Sequence, residues 1–389
     1  MWSIDRHARR AQGATATGSV GRGREGMSDA VDFQVRRDEL RTTRFVELAP
    51  PETVELGAGE VLVAVDVFAF TANNVTYAVF GDAMKYWDFF PAEEGWGRIP
   101  VWGYGDVLRS EAPGVEVGER LYGYFPMSSH LVIRPVNVSA SSLSDGSDHR
   151  AHLHPVYNSY QRVAADPGYR PEHEPHAMVL RPLFTTSFLI DDFLAEEDFF
   201  GARRVIVTSA SSKTSLALAH QLHAHRAGRV EIVGLTSPSN VAFCEGLGTY
   251  DRVLPYDALE TLDADVPTVS VDMAGNGDVL HRIHAHFDAN LHHSCLVGGT
   301  HWENRGGAGA MPGPQPQLFF APDRIAKRMQ DWGGAVYNEK LGADWLAFVE
   351  ASGVWLKVER SEGREAVERV YRQVLGGSAD PSLGLLLSL

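Results

Sequence analysis

From residue 204 to 237 the chain alternates between unbroken apolar runs and a helical pattern. Val205-Ile-Val ends in a stretch of small residues, Thr208-Ser-Ala-Ser-Ser-Lys-Thr-Ser, and an Ala/Leu-rich pattern of helical spacing follows from Leu216. A second apolar run, Arg229-Val-Glu-Ile-Val-Gly-Leu-Thr-Ser, begins roughly 30 residues after the first, the length a parallel crossover unit needs. Apolar runs without polar alternation belong to strands buried on both faces of a parallel sheet. Ser294-Cys-Leu-Val-Gly-Gly adds a later run of the same kind, and His292 and His293 ahead of it read as its edge. Residues 31 to 140 read differently. Glu60-Val-Leu-Val-Ala-Val-Asp-Val-Phe-Ala-Phe is one long strand, and glycines and prolines punctuate short strands up to Leu131-Val-Ile-Arg-Pro. The pattern predicts an α/β chain, a β-rich block followed by a doubly wound parallel sheet.

The turn after Val207 carries the most chemistry. A buried strand, a tight small-residue turn and a helix start form the unit that receives a dinucleotide pyrophosphate on a helix N-terminus. The glycines of G-x-G-x-x-G are absent. Ser209, Ser212 and Ser215 stand where they would, with Lys213 between. Ser209, Ser211, Ser212, Lys213 and Thr214 are the expected phosphate contacts. A Walker loop is disfavoured, because Val207 and Ser212 occupy its two glycine positions. The second strand ends in Leu235-Thr-Ser-Pro-Ser-Asn, without the carboxylate that holds a ribose 2′-hydroxyl. Ser237 and Asn240 offer neutral donors to a 2′-phosphate instead, so the expected cofactor is NADP(H). Lys213 can serve either that phosphate or the pyrophosphate. Gly298, Gly299 and Thr300 follow a late strand and are expected to line the nicotinamide end, because ligands sit at the carboxyl ends of the strands.

Composition narrows the class. The 389 residues, 44% hydrophobic and 22% charged, suffice for two domains and a large core. A formal net charge of −15 disfavours nucleic acid and anionic membranes as partners. No apolar run approaches the ~20 residues of a membrane span. Two cysteines, Cys244 and Cys295, cannot build a disulfide framework and fit a reducing, cytoplasmic compartment. Residues 1–30, rich in Gly, Ala and Arg, are expected to be a disordered leader or an over-long start ahead of Met27.

The β-rich block resembles the GroES-like domain of the medium-chain dehydrogenase/reductase superfamily. Glu60 to Phe70 resembles its first long strand, Gly103-Tyr-Gly-Asp-Val its G-H-E-x-x-G segment, and Gly114-Val-Glu-Val-Gly-Glu-Arg-Leu-Tyr-Gly its V-x-x-x-x-V-G-D-R-V turn. The likeness continues through the nucleotide-binding unit and a final strand-helix-strand return, about 350 to 389. Phe70-Thr-Ala-Asn-Asn-Val-Thr-Tyr, Tyr86-Trp-Asp-Phe-Phe-Pro-Ala, Leu180-Arg-Pro-Leu-Phe-Thr-Thr-Ser-Phe and Ser209-Ala-Ser-Ser-Lys-Thr are similar to an uncharacterised family of unknown function within that superfamily. The resemblance implies a GroES-like domain over 31–180 and 346–389, a Rossmann domain over 181–345, and a nicotinamide in the cleft between them. It also implies where zinc enzymes of the superfamily bind metal, and those positions hold Thr71 and Tyr104 here. A structural zinc lobe would need four cysteines. No metal is therefore expected, and a substrate oxygen must be polarised by hydrogen-bond donors.

Thr71, Asn73, Asn74, Tyr77 and Tyr104 cluster around that would-be metal pocket. Tyr77 leads as proton donor, because it follows the Asn73-Asn74 turn by one helical turn, and Tyr104 is second. The histidine sets His220/His223/His225 and His281/His284/His286 lack the i, i+4 pair plus acid of a helical metal site and read as solvated helix faces. Tyr86, Trp87, Phe89, Phe90, Trp96 and Trp102 crowd one stretch, with Tyr124, Phe125, Tyr157 and Tyr160 as candidates to join them, which fits either a satellite core or a large apolar pocket. Two long segments, 137–178 and the glycine-rich 298–313, read as binding-loop candidates. The expected function is zinc-independent, NADPH-dependent reduction of a C=O or activated C=C bond in an apolar or aromatic small molecule, in a protein able to form a homodimer. The alternative is a non-catalytic nucleotide-binding or interaction protein that keeps the fold.

Overall fold

The computed structural model describes residues 30–166, 169–298 and 311–389. Residues 1–29 and the positions of Gly299 and Thr300 fall outside them, so the expectations for the leader and for those two residues lie outside the described structure.

The apolar runs form a six-stranded parallel sheet in the order Arg252–Pro255, Glu231–Thr236, Arg204–Val207, Thr268–Asp272, Leu291–Leu296, Gln317–Leu318. The first strand of this sheet in chain order, Arg204–Val207, is central. Its successors lie on one side and the fourth strand on the other, which is the doubly wound order with its switch point beside Arg204–Val207. All four of that strand's residues are buried, as expected of a strand covered by helices on both faces. Lys213–Arg226 and Gly277–Phe287 are crossover helices of this sheet.

The upstream block is antiparallel. Val61–Ala69 pairs with Pro100–Ser110, which pairs with Arg120–Pro126, within a nine-stranded sheet. The chain's last elements return to it. Lys357–Glu362, the helix Arg364–Leu375 and Leu383–Ser388 form a parallel strand-helix-strand return, and Leu386 and Leu387 pair with Ala69 and Phe68. One apolar core, with Phe33, Phe68, Phe125 and Tyr371 at its centre, lies under this block. The helix Glu174–Glu196 is 23 residues long and runs unbroken through position 180. The chain therefore passes from one sheet to the other along a single helix that packs on both, with no break between 180 and 181.

Three local expectations change. Asn73 and Asn74 are not a turn but the first turn of the helix Ala72–Val79. His284 is not solvated: it is fully buried, donating from Nδ1 to the Pro312 carbonyl at 2.8 Å and accepting at Nε2 from Ser294 Oγ at 2.9 Å. Burial pushes its pKa down, which keeps the ring in that neutral, doubly satisfied form. His293, stacked on Phe200 at 4.1 Å, is likewise core rather than edge.

Candidate functional site

Between the two sheets lies a cavity of about 810 Å³. Its floor is the carboxyl end of the parallel sheet, at the switch point. Thr236, Met273 and Gly298 follow three of the strands there and line it. Gly298 is required at this place, because a Cβ would sit 2.3 Å from the Met273 carbonyl oxygen. The opposite wall comes from the antiparallel block through Thr71, Asn73, Tyr77, Trp102 and Tyr122.

The phosphate turn adopts its expected geometry without glycine. Ser209 has φ of +50°, the left-handed conformation glycine supplies at lower cost. Its N–H donates to the Tyr256 hydroxyl at 2.9 Å. Ser212 caps the helix Lys213–Arg226, its Oγ accepting from the Ser215 N–H at 3.3 Å and donating to Ser215 Oγ at 2.9 Å. The Ser215 hydroxyl donates to the Thr208 carbonyl at 3.0 Å, so the position of the third glycine ties helix to strand by a hydrogen bond. Among the described residues, the backbone N–H groups of Lys213 and Thr214 meet no protein acceptor; these are the orphan donors of a helix start.

Ser211 belongs to a second corner. Its Oγ accepts from Asn240 Nδ2 at 3.0 Å and from Thr236 Oγ1 at 3.3 Å, with Ser237 and Ser239 hydroxyls 3.2 Å apart beside it. This corner is neutral and rich in donors. Lys213 points away from it. Its ammonium donates to the Pro381 carbonyl at 3.3 Å, across the cleft on the loop ahead of the last strand. Burial lowers the Lys213 pKa to about 8, against the pull of Asp380.

The five residues expected around the would-be metal pocket separate into two groups. Thr71, Asn73 and Tyr77 line the cavity. Asn74 does not reach it, since its side chain is spent locally. Oδ1 accepts from the Thr71 N–H at 2.8 Å and the Thr71 hydroxyl at 3.1 Å, while Nδ2 donates to the Pro100 carbonyl at 2.8 Å. The Thr71 proton is thereby used. Tyr104 does not reach the cavity either. It lies one pleat beyond Trp102 on the same face of Pro100–Ser110, packed on Tyr122 at 5.0 Å and covered by the Arg120 guanidinium at 5.0 Å. Tyr77 is the tyrosine of the pair that faces the cleft. Its oxygen accepts from Trp102 Nε1 at 3.2 Å, and the Asn73 side chain is within hydrogen-bond reach of the same hydroxyl. Burial first, then neighbouring Tyr86, raises its pKa above the usual phenol range. Among the described residues, no three His, Cys, Asp or Glu side chains are grouped to hold a metal ion.

Several lining residues were not singled out in advance as site residues. Trp102, Tyr157 and Tyr86 were noted only as an aromatic crowd, and they serve both alternatives. Tyr77, Tyr86, Phe89, Phe90 and Tyr124 form a satellite core whose open edge, with Tyr157, is cavity wall. Tyr256 belonged to no motif, Arg181 stood only inside the family-like segment that begins at Leu180, and Asp380 again belonged to none. They arrive from a 3₁₀ turn, a long helix and the C-terminal loop, and only the tertiary fold brings them together.

No curated protein sequence matches the chain. Solved structures match its fold over nearly their whole length. CurA from Vibrio vulnificus in complex with NADPH shares 12% identity, with a TM-score of 0.58 over 92% of this chain and 99% of that one. YhdH of Escherichia coli K-12 with bound NADPH shares 15%, with a TM-score of 0.52 over 92% and 99%. CurK enoyl reductase shares 14%, with a TM-score of 0.51 over 93% and 99%. The architecture is thus a GroES-like β-rich domain plus a doubly wound Rossmann domain, the fold these structures share. The model of a family described as a protein of unknown function, DUF2855, matches residues 68–380, and the chain belongs to that family.

Proposed function

We propose that the cleft binds NADPH and that the protein is a metal-independent reductase of a C=O or activated C=C bond in a flat, largely apolar small molecule. The observation that carries this reading is Tyr77. A neutral phenol, held by Trp102 and by the Asn73 side chain, faces a cavity at the switch point of a doubly wound sheet.

The residues present fit the dinucleotide. The free N–H groups of Lys213 and Thr214 and the Lys213 ammonium suit a pyrophosphate. Ser211, Thr236, Ser237 and Asn240 suit the ribose 2′-phosphate, with no carboxylate among them to repel it. Lys213 lies with Pro381 and not with that corner, which favours the pyrophosphate role over the 2′-phosphate role. Fold neighbours that hold NADPH add support.

When bound, NADPH supplies the hydride. Charge then develops on the substrate oxygen, and the Tyr77 hydroxyl is placed to donate to it. Thr71 Oγ1, its proton spent on Asn74, can only accept. Burial keeps Tyr77 protonated throughout the physiological range. The aromatic wall excludes water, which strengthens that hydrogen bond. Thr71 and Tyr104 at the usual ligand positions leave this donor in place of a Lewis acid.

Fluorescence titration with NADPH, followed by NADPH absorbance with a panel of quinones, enones, enoyl thioesters and aldehydes, tests the reading. Binding and turnover of at least one class is expected. Tight NADPH binding with no turnover across the panel would favour the non-catalytic alternative, and no NADPH binding would remove the reductase reading and leave only an interaction role.

A further inference from the structure

Two cations and one carboxylate line the cavity among the described residues: Lys213, Arg181 and Asp380. Lys213 and Asp380 lie together beside the phosphate turn. Arg181 stands apart. It sits on the helix Glu174–Glu196, six positions before Ser187, whose hydroxyl donates to the Thr214 carbonyl at 2.8 Å. At 1.5 Å per residue that places Arg181 about 9 Å along the helix axis from the phosphate turn. Its guanidinium makes no hydrogen bond among the described residues, and its counter-charge, Asp166, is 4.0 Å away. It lies instead over the face of Tyr122, 5.8 Å from the ring centre.

Tyr122 fixes the direction in which this charge is useful. Its hydroxyl is spent on the Ala177 carbonyl at 3.1 Å, so the ring is locked. Trp102 stacks on it, with centres 5.7 Å apart and planes 26° from parallel. Trp102 in turn donates to Tyr77. Arg181, Tyr122, Trp102 and Tyr77 therefore form a continuous row along the wall opposite the phosphate turn. One end holds a proton donor, the middle holds two aromatic rings, and the other end holds an under-used guanidinium. A dinucleotide places its phosphates along the carboxyl ends of the parallel strands, so its charges do not account for a cation on this wall. A guanidinium with free donors is matched by a carboxylate, which it binds through two parallel hydrogen bonds.

Resting on the reductase reading above, we infer that the substrate is a flat conjugated acid, its reducible carbonyl or enone at Tyr77 and its carboxylate on Arg181. The acid lies along Trp102 and Tyr122. Arg181 acts here as a specificity-determining residue rather than a catalytic one.

The test separates substrate recognition from cofactor binding. Calorimetric titration of the NADP⁺-saturated protein with 3-phenylpropionate and with 3-phenylpropanamide compares an acid with its uncharged isostere. The acid is expected to bind at least about tenfold tighter, the range of a hydrogen-bonded charge. Arg181→Met should erase that preference with NADPH affinity unchanged, and Arg181→Lys should keep part of it. In turnover, 4-(3-oxobut-1-enyl)benzoate should exceed neutral 4-phenylbut-3-en-2-one through a lower KM at similar kcat, again only with Arg181 present. Equal binding of acid and amide, binding of neither, a preference that survives Arg181→Met, or loss of NADPH in that variant would each overturn the inference. Reduction of the neutral enone alone would leave the reductase reading standing without it, whereas failure to bind NADPH would remove that reading itself.

Discussion

Tyr77 and Tyr104 are both phenols held neutral by burial, yet one pleat of strand and one helix separate what they can do. Tyr77 lines the cavity, held by Trp102 and Asn73, while Tyr104 is sealed under Arg120 against Tyr122. Tyr77→Phe should cut turnover about 100-fold at unchanged NADPH affinity, the usual cost of one lost oxyanion donor. Tyr104→Phe should leave turnover near that of the parent. Steady-state kinetics on any substrate found by screening decides both, and full activity of Tyr77→Phe would remove its assignment. Lys213 makes a second, signed prediction. Its folded pKa is near 8, depressed chiefly by burial, so the charged form is penalised in the empty cleft. That penalty is fully present below about pH 8 and fades as pH rises through it. A phosphate beside the ammonium favours the charged form, so NADPH should bind tightest below pH 8 and progressively weaker above. Lys213→Met should flatten that profile and weaken binding. It should also raise the melting temperature of the free protein at pH 7, because a buried charge is removed. A lower melting temperature, with the pH profile intact, would show that Lys213 is structural.

At the scale of elements, the phosphate turn shows how far pattern reading reaches. The apolar run, the small-residue turn and the helix start over 205–220 were legible because burial on both faces leaves no polar alternation to confuse the period. The turn's glycine substitutes keep the geometry by other means. Ser209 accepts a left-handed φ, Ser212 caps the helix, and Ser215 binds the strand end. Ser212→Ala should therefore cost about 1 kcal/mol of stability, as lost N-caps do, measured by denaturant unfolding; no loss would mean that water replaces the cap at once. The helix Ala72–Val79 was not legible. Its capping pair, Thr71 and Asn74, uses the same residue types as a turn, and eight residues give too little periodicity to separate the two. His284 was misread for a related reason. Its helix face is mixed in sequence, and only the approach of Ser294 and Pro312 makes a buried position out of it.

At the scale of the molecule, the two-sheet fold was legible from strand periods and from the order of family-like segments, while the cavity was not. Its walls come from residues as far apart in the chain as Thr71 and Asp380, and no local pattern encodes their meeting. The same distance explains why Arg181, quoted only within a family-like segment, carried no signal of its role: its neighbour Tyr122 is on another element, and its charge gains meaning only from what it faces. The metal expectation belongs at this scale too, since superfamily zinc sites draw ligands from separate segments. Elemental analysis of the dialysed protein should give well under one zinc per chain, and stoichiometric zinc with chelator-sensitive activity would overturn the metal-independent reading. The last prediction uses the cleft as a whole. A cofactor bound between the sheets stabilises the folded state alone, so NADPH at a hundred times its Kd should add about 2.7 kcal/mol to unfolding free energy. The neutral corner of Ser211, Thr236, Ser237 and Asn240 contains no carboxylate to hold a bare ribose 2′-hydroxyl. NADPH should therefore bind at least tenfold more tightly than NADH, a difference of about 1.4 kcal/mol. Lys213→Ala should weaken both equally, because its ammonium lies by Pro381 on the pyrophosphate side. Thermal unfolding with each nucleotide in parallel reads all three quantities. A larger shift with NADH would mean that the corner reads the ribose hydroxyl after all, and a selective loss of NADPH in Lys213→Ala would move the 2′-phosphate across the cleft to Lys213.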